Sequence, residues 1–287
     1  MFSAPYLTYI LTSVALFAIM AASFNLLLGY TGLINLGHSG LFLIGAYTTV
    51  LLHIKLGVPL WIGTLSAMIA SAAAGGFLSI LTRRSKGDAV GVMTLWFLIA
   101  LMTIALNWNA LTRGALGIAG IARPALFTSP EIFFLLTAAL CAIVYAFLWK
   151  VMRSPFGRVL GAVRDDELAC ATLGKNVFKI RVIAFMLAGA LAGLGGTLFA
   201  FLYRFIDPPS FYITQLTTIL TIVCVGGLAT LTGTFLGAAI IIILPEALRF
   251  LPLNPEILGA IRQILFSALI LIVVLARPKG ILGKVKL

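Results

Sequence analysis

The sequence predicts an all-α fold, a polytopic transmembrane helical bundle of about nine spans. Hydrophobic residues make up 62% of the 287 positions and charged residues only 10%, whereas about a quarter of a soluble domain is charged. Several stretches without any charged side chain reach the roughly 20 residues that cross a bilayer. The basic residues lie in short clusters between these stretches. A water-soluble fold is therefore excluded, and we expect one transmembrane domain over residues 1–287.

The charge-free stretches predict the individual spans. Single spans are expected near 56–82, 89–112, 132–149, 182–203 and 263–276. The run 208–245 is too long for one helix and contains three interrupting glycines, so we divide it into spans near 213–230 and 234–250. Residues 1–54 are expected to hold more than one span.

A segment rich in glycine and small polar residues, 29–40, interrupts the first apolar run and predicts a broken helix or re-entrant turn. Unwound backbone at membrane depth must be buried in protein or face water, because lipid cannot satisfy its polar groups. Discontinuous helices often mark a transport route. We therefore predict a translocation path formed by the polar residues in and beside the segment, Asn25, Thr31, Asn35, His38 and Ser39. A packing role is the alternative for His38, since it is a single histidine without a metal partner.

Fourteen of the twenty Lys and Arg residues fall on one predicted side of the membrane. They lie at 83–86, at 150–181 and in the C-terminal tail. Because basic residues stay on the cytoplasmic side, we expect the C-terminus to be cytoplasmic. The protein itself is expected in the inner membrane of a bacterial cell. The broken segment leaves the side of the N-terminus open. Membrane orientation also accounts for the formal charge of +12 without a nucleic-acid partner.

The one substantial polar segment is predicted to be a cytoplasmic loop over residues 152–180, which we name the coupling loop. It contains three of the eight acidic residues. Asp165 can cap a helix from Asp166 to Leu173, and Gly174 can end that helix in the left-handed conformation. Nothing apolar surrounds the two aspartates, so acid–base catalysis is not expected there. A solvated connector with internally paired charges is the alternative interpretation.

Other residue patterns limit the possible chemistry. Cys141, Cys170 and Cys224 are isolated in sequence, so neither a disulfide framework nor a metal site is predicted. The chain has no GxxxxGK[ST] phosphate loop, so an ATP-driven transporter would bind its ATP on another subunit. Small residues recur every fourth position from Ala184 to Gly196, a spacing that predicts close helix packing. Glu246 is the nearest candidate for an intramembrane ion switch, and its place near a span end disfavours a self-sufficient secondary carrier.

Motifs along most of the chain resemble the permease subunits of branched-chain amino-acid ABC importers, the LivM type especially. The motifs are Asn25-Leu-Leu-Leu-Gly-Tyr-Thr-Gly32, Leu36-Gly-His-Ser39, Gly45-Ala-Tyr47, Lys86-Gly-Asp88, Gly157-Arg158, Ala162-Val-Arg164-Asp-Asp-Glu167, Leu173-Gly174, Ala190-Leu-Ala-Gly193, Pro209-Ser-Phe211, Gly226-Gly-Leu228, Leu244-Pro-Glu246 and Arg277-Pro-Lys-Gly280. They occur in the same order as in that family.

The resemblance implies a non-catalytic subunit, without a cofactor of its own, whose coupling loop docks into a cytosolic ATPase. The residues expected at that contact are Arg164, Asp165, Asp166, Glu167, Leu168, Ala171, Leu173 and Gly174. A second homologous permease subunit and a periplasmic or extracellular solute-binding protein are the other implied partners. Branched-chain or other hydrophobic amino acids are the implied solutes, while amides, urea or another small solute stay open.

Overall fold

The computed structural model describes residues 4–85, 87–124, 127–248 and 280–283, with single positions at 264 and 268. The helices of this part are α1 Ala4–Thr31, α2 His38–Leu56, α3 Leu60–Leu81, α4 Asp88–Asn107, α5 Asn109–Thr112, α6 Pro130–Arg153, α7 Pro155–Asp165, α8 Glu167–Thr172, α9 Val177–Tyr203, α10 Ile213–Gly226 and α11 Leu231–Leu248. Turns of 3₁₀ helix occupy Gly114–Leu116 and Pro208–Phe211. The strands β1 Ile118–Ala119 and β2 Phe205–Ile206 pair antiparallel.

Seven helices of the described part are long and apolar enough to cross a membrane: α1, α2, α3, α4, α6, α9, and α10 together with the 3₁₀ turn before it. Helix α11 is apolar but shorter. The all-α membrane bundle is therefore confirmed, whereas the count of nine spans is not. The span expected at 263–276, apart from the single positions 264 and 268, lies outside the described residues, as do the last two positions of the one expected at 234–250.

The interruption expected near 29–40 is present as the non-helical residues 32–37 between α1 and α2. Gly32 has a φ of +69°, which an L side chain rarely adopts. The buried backbone of the segment finds partners inside the protein. Leu33 N donates to Leu27 O at 3.0 Å, and Leu36 N donates to Thr94 Oγ1 of α4 at 2.9 Å. The interruption thus connects two membrane helices, and these two N–H groups are paired within the protein.

The predicted glycine break in the run 208–245 separates α10 from α11. Gly227 follows α10 with a φ of +116°. The C-terminal residues 280–283 lie against this turn, because Ile281 N donates to Val225 O at 2.9 Å and Leu282 N donates to Gly226 O at 3.1 Å. A Cβ on Gly227 would come within 2.2 Å of Gly283 N, so only glycine fits this approach.

Helix α9 packs against α1, α2 and α3. Its small residues allow this. A Cβ on Gly189 would meet Ser71 O of α3 at 2.3 Å, and a Cβ on Gly196 would meet Phe42 O of α2 at 2.2 Å. The packing role predicted for the small-residue stripe is confirmed. Close backbone contact brings polar groups together as well, and the hydroxyls of Thr49 and Thr197 lie 2.6 Å apart.

Helix α6 packs on α1, and the Tyr145 hydroxyl donates to Ala18 O at 3.2 Å. An apolar cleft of about 980 Å³ lies among α3, α6 and α9. At the end of the cleft near the start of α6, Arg123 Nε donates to Phe201 O at 2.9 Å, near the end of α9. Burial, and secondarily the charge of Arg204, lowers the pKa of Arg123.

Candidate functional site

The coupling loop is two helices rather than one. Ser154 ends α6 and caps α7, its Oγ accepting from Gly157 N at 3.4 Å. Pro155 occupies the first turn of α7, where a missing N–H costs nothing. Leu160 and Val163 bury one face of α7, and exposed residues cover the other. The sequence interpretation did not anticipate α7, although Ser-Pro at its start is a recognised helix signal.

Helix α8 covers Glu167–Thr172, shorter at both ends than the helix expected from Asp166 to Leu173. The cap is Asp166, whose Oδ1 accepts from Ala169 N at 2.9 Å. The assignment of the cap to Asp165 was wrong, because Asp165 is the last residue of α7. Since α7 runs to this point, only the next residue has the extended backbone that a cap needs.

The predicted left-handed residue at the end of α8 is confirmed, since Gly174 has a φ of +77°. Gly174 N donates to Ala171 O at 3.0 Å and Lys175 N donates to Cys170 O at 3.1 Å. These two bonds form a Schellman motif and satisfy carbonyls at the end of the helix. The motif fixes the backbone at the end of α8 and therefore the position of Leu173, the C-cap residue.

Arg164 joins the coupling loop to α1. Its Nη1 donates to Gly29 O at 3.1 Å, and its Nε and Nη2 donate to Asp165 Oδ1 at 3.0 and 2.9 Å. The aliphatic part of Arg164 covers Gly32, where a Cβ would meet its Cγ at 2.8 Å. The end of α7 therefore sits directly against the end of α1.

A second ion pair joins α8 to α9. Arg181 Nη1 donates to Glu167 Oε1 at 3.4 Å. Arg181 is buried, and its Nε and Nη2 have no hydrogen-bond partner among the described residues. Because a buried guanidinium is costly when unpaired, loss of the contact with Glu167 would be unfavourable, and the pair links the start of α8 to α9. The sequence interpretation used Arg181 only for orientation. An arginine in the first turns of an apolar helix was the signal that could have singled it out.

A small apolar cluster of Val163, Cys170 and Val177 lies between α7, α8 and α9. The opposite face of α8 is open. Leu168 is 67% exposed and Leu173 is 79% exposed, and Ala171 is exposed beside them. Helix α8 therefore has two exposed leucines beside its buried cluster, and their part in contact with another protein stays a prediction.

Of the five residues predicted for the translocation path, Asn25 joins α1 to the turn between α10 and α11. Its Oδ1 accepts from Ala229 N at 3.1 Å. Its Nδ2 donates to Thr230 O at 3.2 Å and to Thr234 Oγ1 at 2.6 Å. Asn25 is fully buried, so these three bonds satisfy most of the capacity of its carboxamide.

The other four lie around the interruption between α1 and α2. His38 packs between Phe24 and Phe42, with its Nε2 2.9 Å from Ser23 Oγ and its Nδ1 3.3 Å from Asn35 Nδ2. Thr31 Oγ1 donates to Leu27 O at 2.5 Å. Ser39 is buried, and its Oγ has no hydrogen-bond partner among the described residues.

All five are buried in this conformation, and none lines the apolar cleft among α3, α6 and α9. A solute could reach them only if α1 and α2 separated from their neighbours. Their part in a translocation path stays a prediction. What the structure brings together is the broken segment and the coupling loop, through the contact between Gly29 and Arg164.

The apolar helices of the bundle define a multi-pass membrane protein. A family profile described as the permease component of the branched-chain amino acid transport system matches residues 6–275, and the chain belongs to this family. It is 30% identical to the high-affinity branched-chain amino acid transport system permease protein LivM of Salmonella typhimurium, over 95% of this chain and 69% of that protein. The resemblance to LivM-type subunits is thereby confirmed.

Two further relatives are named for different solutes, one for branched-chain amino acids and one for guanosine. The chain is 24% identical to the high-affinity branched-chain amino acid transport system permease protein LivH of Escherichia coli, over 93% of this chain and 91% of that protein. It is 29% identical to the guanosine ABC transporter permease protein NupQ of Bacillus subtilis, over 59% of each chain. Among solved structures, a chain of PsaBC from Streptococcus pneumoniae in complex with Fab shares the fold, with a TM-score of 0.51, 14% identity and coverage of 95% and 91%.

Proposed function

We propose that the chain is the translocation subunit of an ATP-binding-cassette importer and that α8 docks on a separate cytosolic ATPase. One observation carries the proposal. Helix α8 exposes Leu168 and Leu173, and two contacts near its start connect it to membrane helices. Arg164, in the last turn of α7, donates to the Gly29 carbonyl of α1, and Glu167 of α8 pairs with Arg181 of α9. Movement of a partner on this surface would therefore pass directly to two membrane helices.

The end of the bundle with the coupling loop is proposed to face the cytoplasm. Nine of the thirteen Lys and Arg residues that the structure describes belong to this end by helix order, as expected for the side that is not translocated. The C-terminal residues 280–283 contact the turn after α10, on the same end by helix order. Helix α8 would then lie on the same side of the membrane as the ATPase and its ATP.

A second permease subunit is the proposed partner within the membrane. Escherichia coli has both a LivM and a LivH permease protein in its high-affinity branched-chain system, and this chain is similar to each over more than nine-tenths of its length. A heterodimer of two such folds is the arrangement we propose. A separate solute-binding protein would deliver the solute, since the interior described here offers little charge for selecting one.

The proposed solutes are branched-chain or other hydrophobic amino acids. The fully buried polar side chains described on α1, on α2 and between them carry hydroxyls, carboxamides and an imidazole, and none of them carries a carboxylate or an ammonium group. Such a lining permits passage of several small solutes. The guanosine permease relative makes nucleosides the first alternative to test, ahead of amides and urea.

The testing experiment purifies the tagged chain from its own membranes, identifies the subunits that accompany it, and reconstitutes the complex in vesicles. We expect ATP-dependent uptake of radiolabelled leucine when the binding protein is supplied, with excess guanosine as the competitor that tests the alternative solute. Uptake that needs no ATP and disappears with an ionophore would instead identify a secondary carrier. In that case Glu246 of α11, which accepts from the Tyr6 hydroxyl, would be the first residue to mutate.

A further inference from the structure

A groove with two lysines lies between α7 and the start of α9, on the side of the coupling loop. Its volume is about 310 Å³. We name it the lysine groove and define it by Pro155, Phe156, Val159, Lys175, Asn176, Lys179, Ile180 and Ile183. One part of the wall is cationic and the rest is apolar, apart from the capping Asn176.

The charge of the lysine groove is not neutralised by the protein. No acidic residue lines it. No described residue accepts a hydrogen bond from either lysine ammonium, and the two ion pairs found in the described part of the chain involve neither Lys175 nor Lys179. Both lysines are exposed. An anionic ligand would therefore meet two free cations over an apolar floor.

Apolar residues of α9 line both the lysine groove and the large cleft. Ile183 lines the lysine groove, and Leu187, Ala190, Leu191 and Leu194 line the cleft. Residues spaced by three or four positions lie on one face of a helix, so a single stripe of α9 serves both cavities. On the other wall, Phe147 of α6 lines the cleft and Phe156 of α7 lines the groove.

The length of this α9 stripe fits one leaflet of a bilayer. From Ile183 to Leu194 the helix rises about 16 Å, at 1.5 Å per residue. Half of the hydrocarbon thickness is about 15 Å. A head group at the lysines would thus place its acyl chain along the stripe, with the chain end inside the apolar cleft.

We propose that the lysine groove and the adjoining cleft bind a phospholipid with an anionic head group. The phosphate contacts Lys175 and Lys179, and one acyl chain lies between α6 and α9. Basic pockets between membrane helices bind anionic lipid head groups for the same electrostatic reason. A water-soluble docking protein is disfavoured as the occupant, since the apolar wall belongs to a helix long enough to span the membrane.

Native mass spectrometry of the full-length chain, freed of lipid in detergent, tests the proposal. The probes are phosphatidylglycerol and phosphatidylcholine with identical palmitoyl and oleoyl chains. We expect one phosphatidylglycerol to bind about tenfold more tightly than phosphatidylcholine, as two surface cations favour an anionic lipid. The double substitution Lys175→Gln with Lys179→Gln should remove this preference, while Arg84→Gln with Lys150→Gln, which removes two exposed charges outside the groove, should keep it.

A second variant tests the acyl-chain half of the site. Ala190→Phe fills the cleft without changing charge, and it should weaken binding of both lipids. Circular dichroism and size-exclusion chromatography verify the fold of each variant. Equal binding of the two lipids by the unmodified chain would overturn the proposal. The proposal would also be overturned if the double lysine variant kept the preference for phosphatidylglycerol. That result would stand even if the same variant bound the ATP-binding subunit more weakly in a separate assay.

Discussion

The guanidinium of Arg164 donates a 3.1 Å hydrogen bond to the main-chain carbonyl of Gly29, so the coupling loop holds the last turn of α1. Carbonyls in the last turn of a helix have no partner within the helix and carry partial negative charge. A cation is therefore the favoured partner at this position. Four residues earlier in α1, Asn25 binds the turn between α10 and α11. The two contacts form a chain from α7 through α1 to α10 and α11.

Replacing Arg164 should loosen this connection. We expect Arg164→Gln to lower the solute moved per ATP hydrolysed about tenfold, the equivalent of about 1.4 kcal/mol, within the range for a hydrogen bond to a charged group. Uptake and phosphate release measured in the same vesicles give this ratio. Arg158→Gln, at an exposed position of the same helix, is the matched control and should keep the ratio. Equal ratios for both variants would remove Arg164 from the coupling route.

Altering the end of α8 should separate ATP hydrolysis from uptake. The substitution Leu173→Ala removes an exposed apolar side chain, and Gly174→Ala forces an L residue into a φ of +77° at a cost of about 1–2 kcal/mol. The double variant should insert in the membrane normally and retain basal ATPase activity without uptake. Transport at the unmodified rate would show that these residues do not shape the docking surface.

The buried hydrogen bonds of Asn25 should contribute to the thermal stability of the protein. The substitution Asn25→Leu removes three hydrogen bonds and leaves the buried Ala229 N–H without its partner. An unsatisfied buried donor costs about 1–3 kcal/mol, so a scanning-fluorimetry melt in detergent should show a lower midpoint. Thr103→Val removes an exposed intrahelical hydroxyl bond in α4 and serves as the control with little change. An unchanged midpoint for Asn25→Leu would show that the α10–α11 turn does not depend on it.

Close packing should make Gly196 of α9 intolerant of substitution, whereas Gly161 of α7 should tolerate it. A Cβ on Gly196 would come within 2.2 Å of Phe42 O, whereas one on Gly161 of α7 meets nothing within 4 Å. Gly196→Ala should therefore lower the yield of folded protein measured by size-exclusion chromatography. Gly161→Ala should preserve it and raise the melting midpoint, because alanine favours a helix by up to about 1 kcal/mol over glycine. Equal tolerance of both would contradict the packing described for α2 and α9.

Hydropathy predicted the helical bundle because a lipid-facing helix must be apolar along its length. The split of 208–245 into two helices was predicted from the length of the run and from its glycines. Gly174 and the stripe from Ala184 to Gly196 were also predictable, since each depends on local backbone geometry or spacing. Helix α7 was missed because Gly157 and Gly161 lower its propensity, while its stability comes from burying Leu160 and Val163.

The contacts that organise the site were not predictable from the sequence. Arg164 and Gly29 are 135 positions apart, and Asn25 and Ala229 are 204 apart. Hydropathy and helical periodicity report which residues share a face, not which distant helix lies opposite. The choice between two adjacent aspartates as the cap of α8 was likewise undetermined, because either side chain can accept the bond. Only the end point of α7 decides it.

Photo-crosslinking from α8 tests the central claim most directly. A benzoylphenylalanine replaces Leu168 or Leu173 in the assembled complex, and one replaces Leu116, which is 85% exposed in the connection between α4 and α6. Irradiation should join positions 168 and 173 to the ATP-binding subunit, identified by mass spectrometry, and should join position 116 to no ATP-binding subunit. Crosslinks to that subunit from position 116, with none from α8 in an intact complex, would contradict the account.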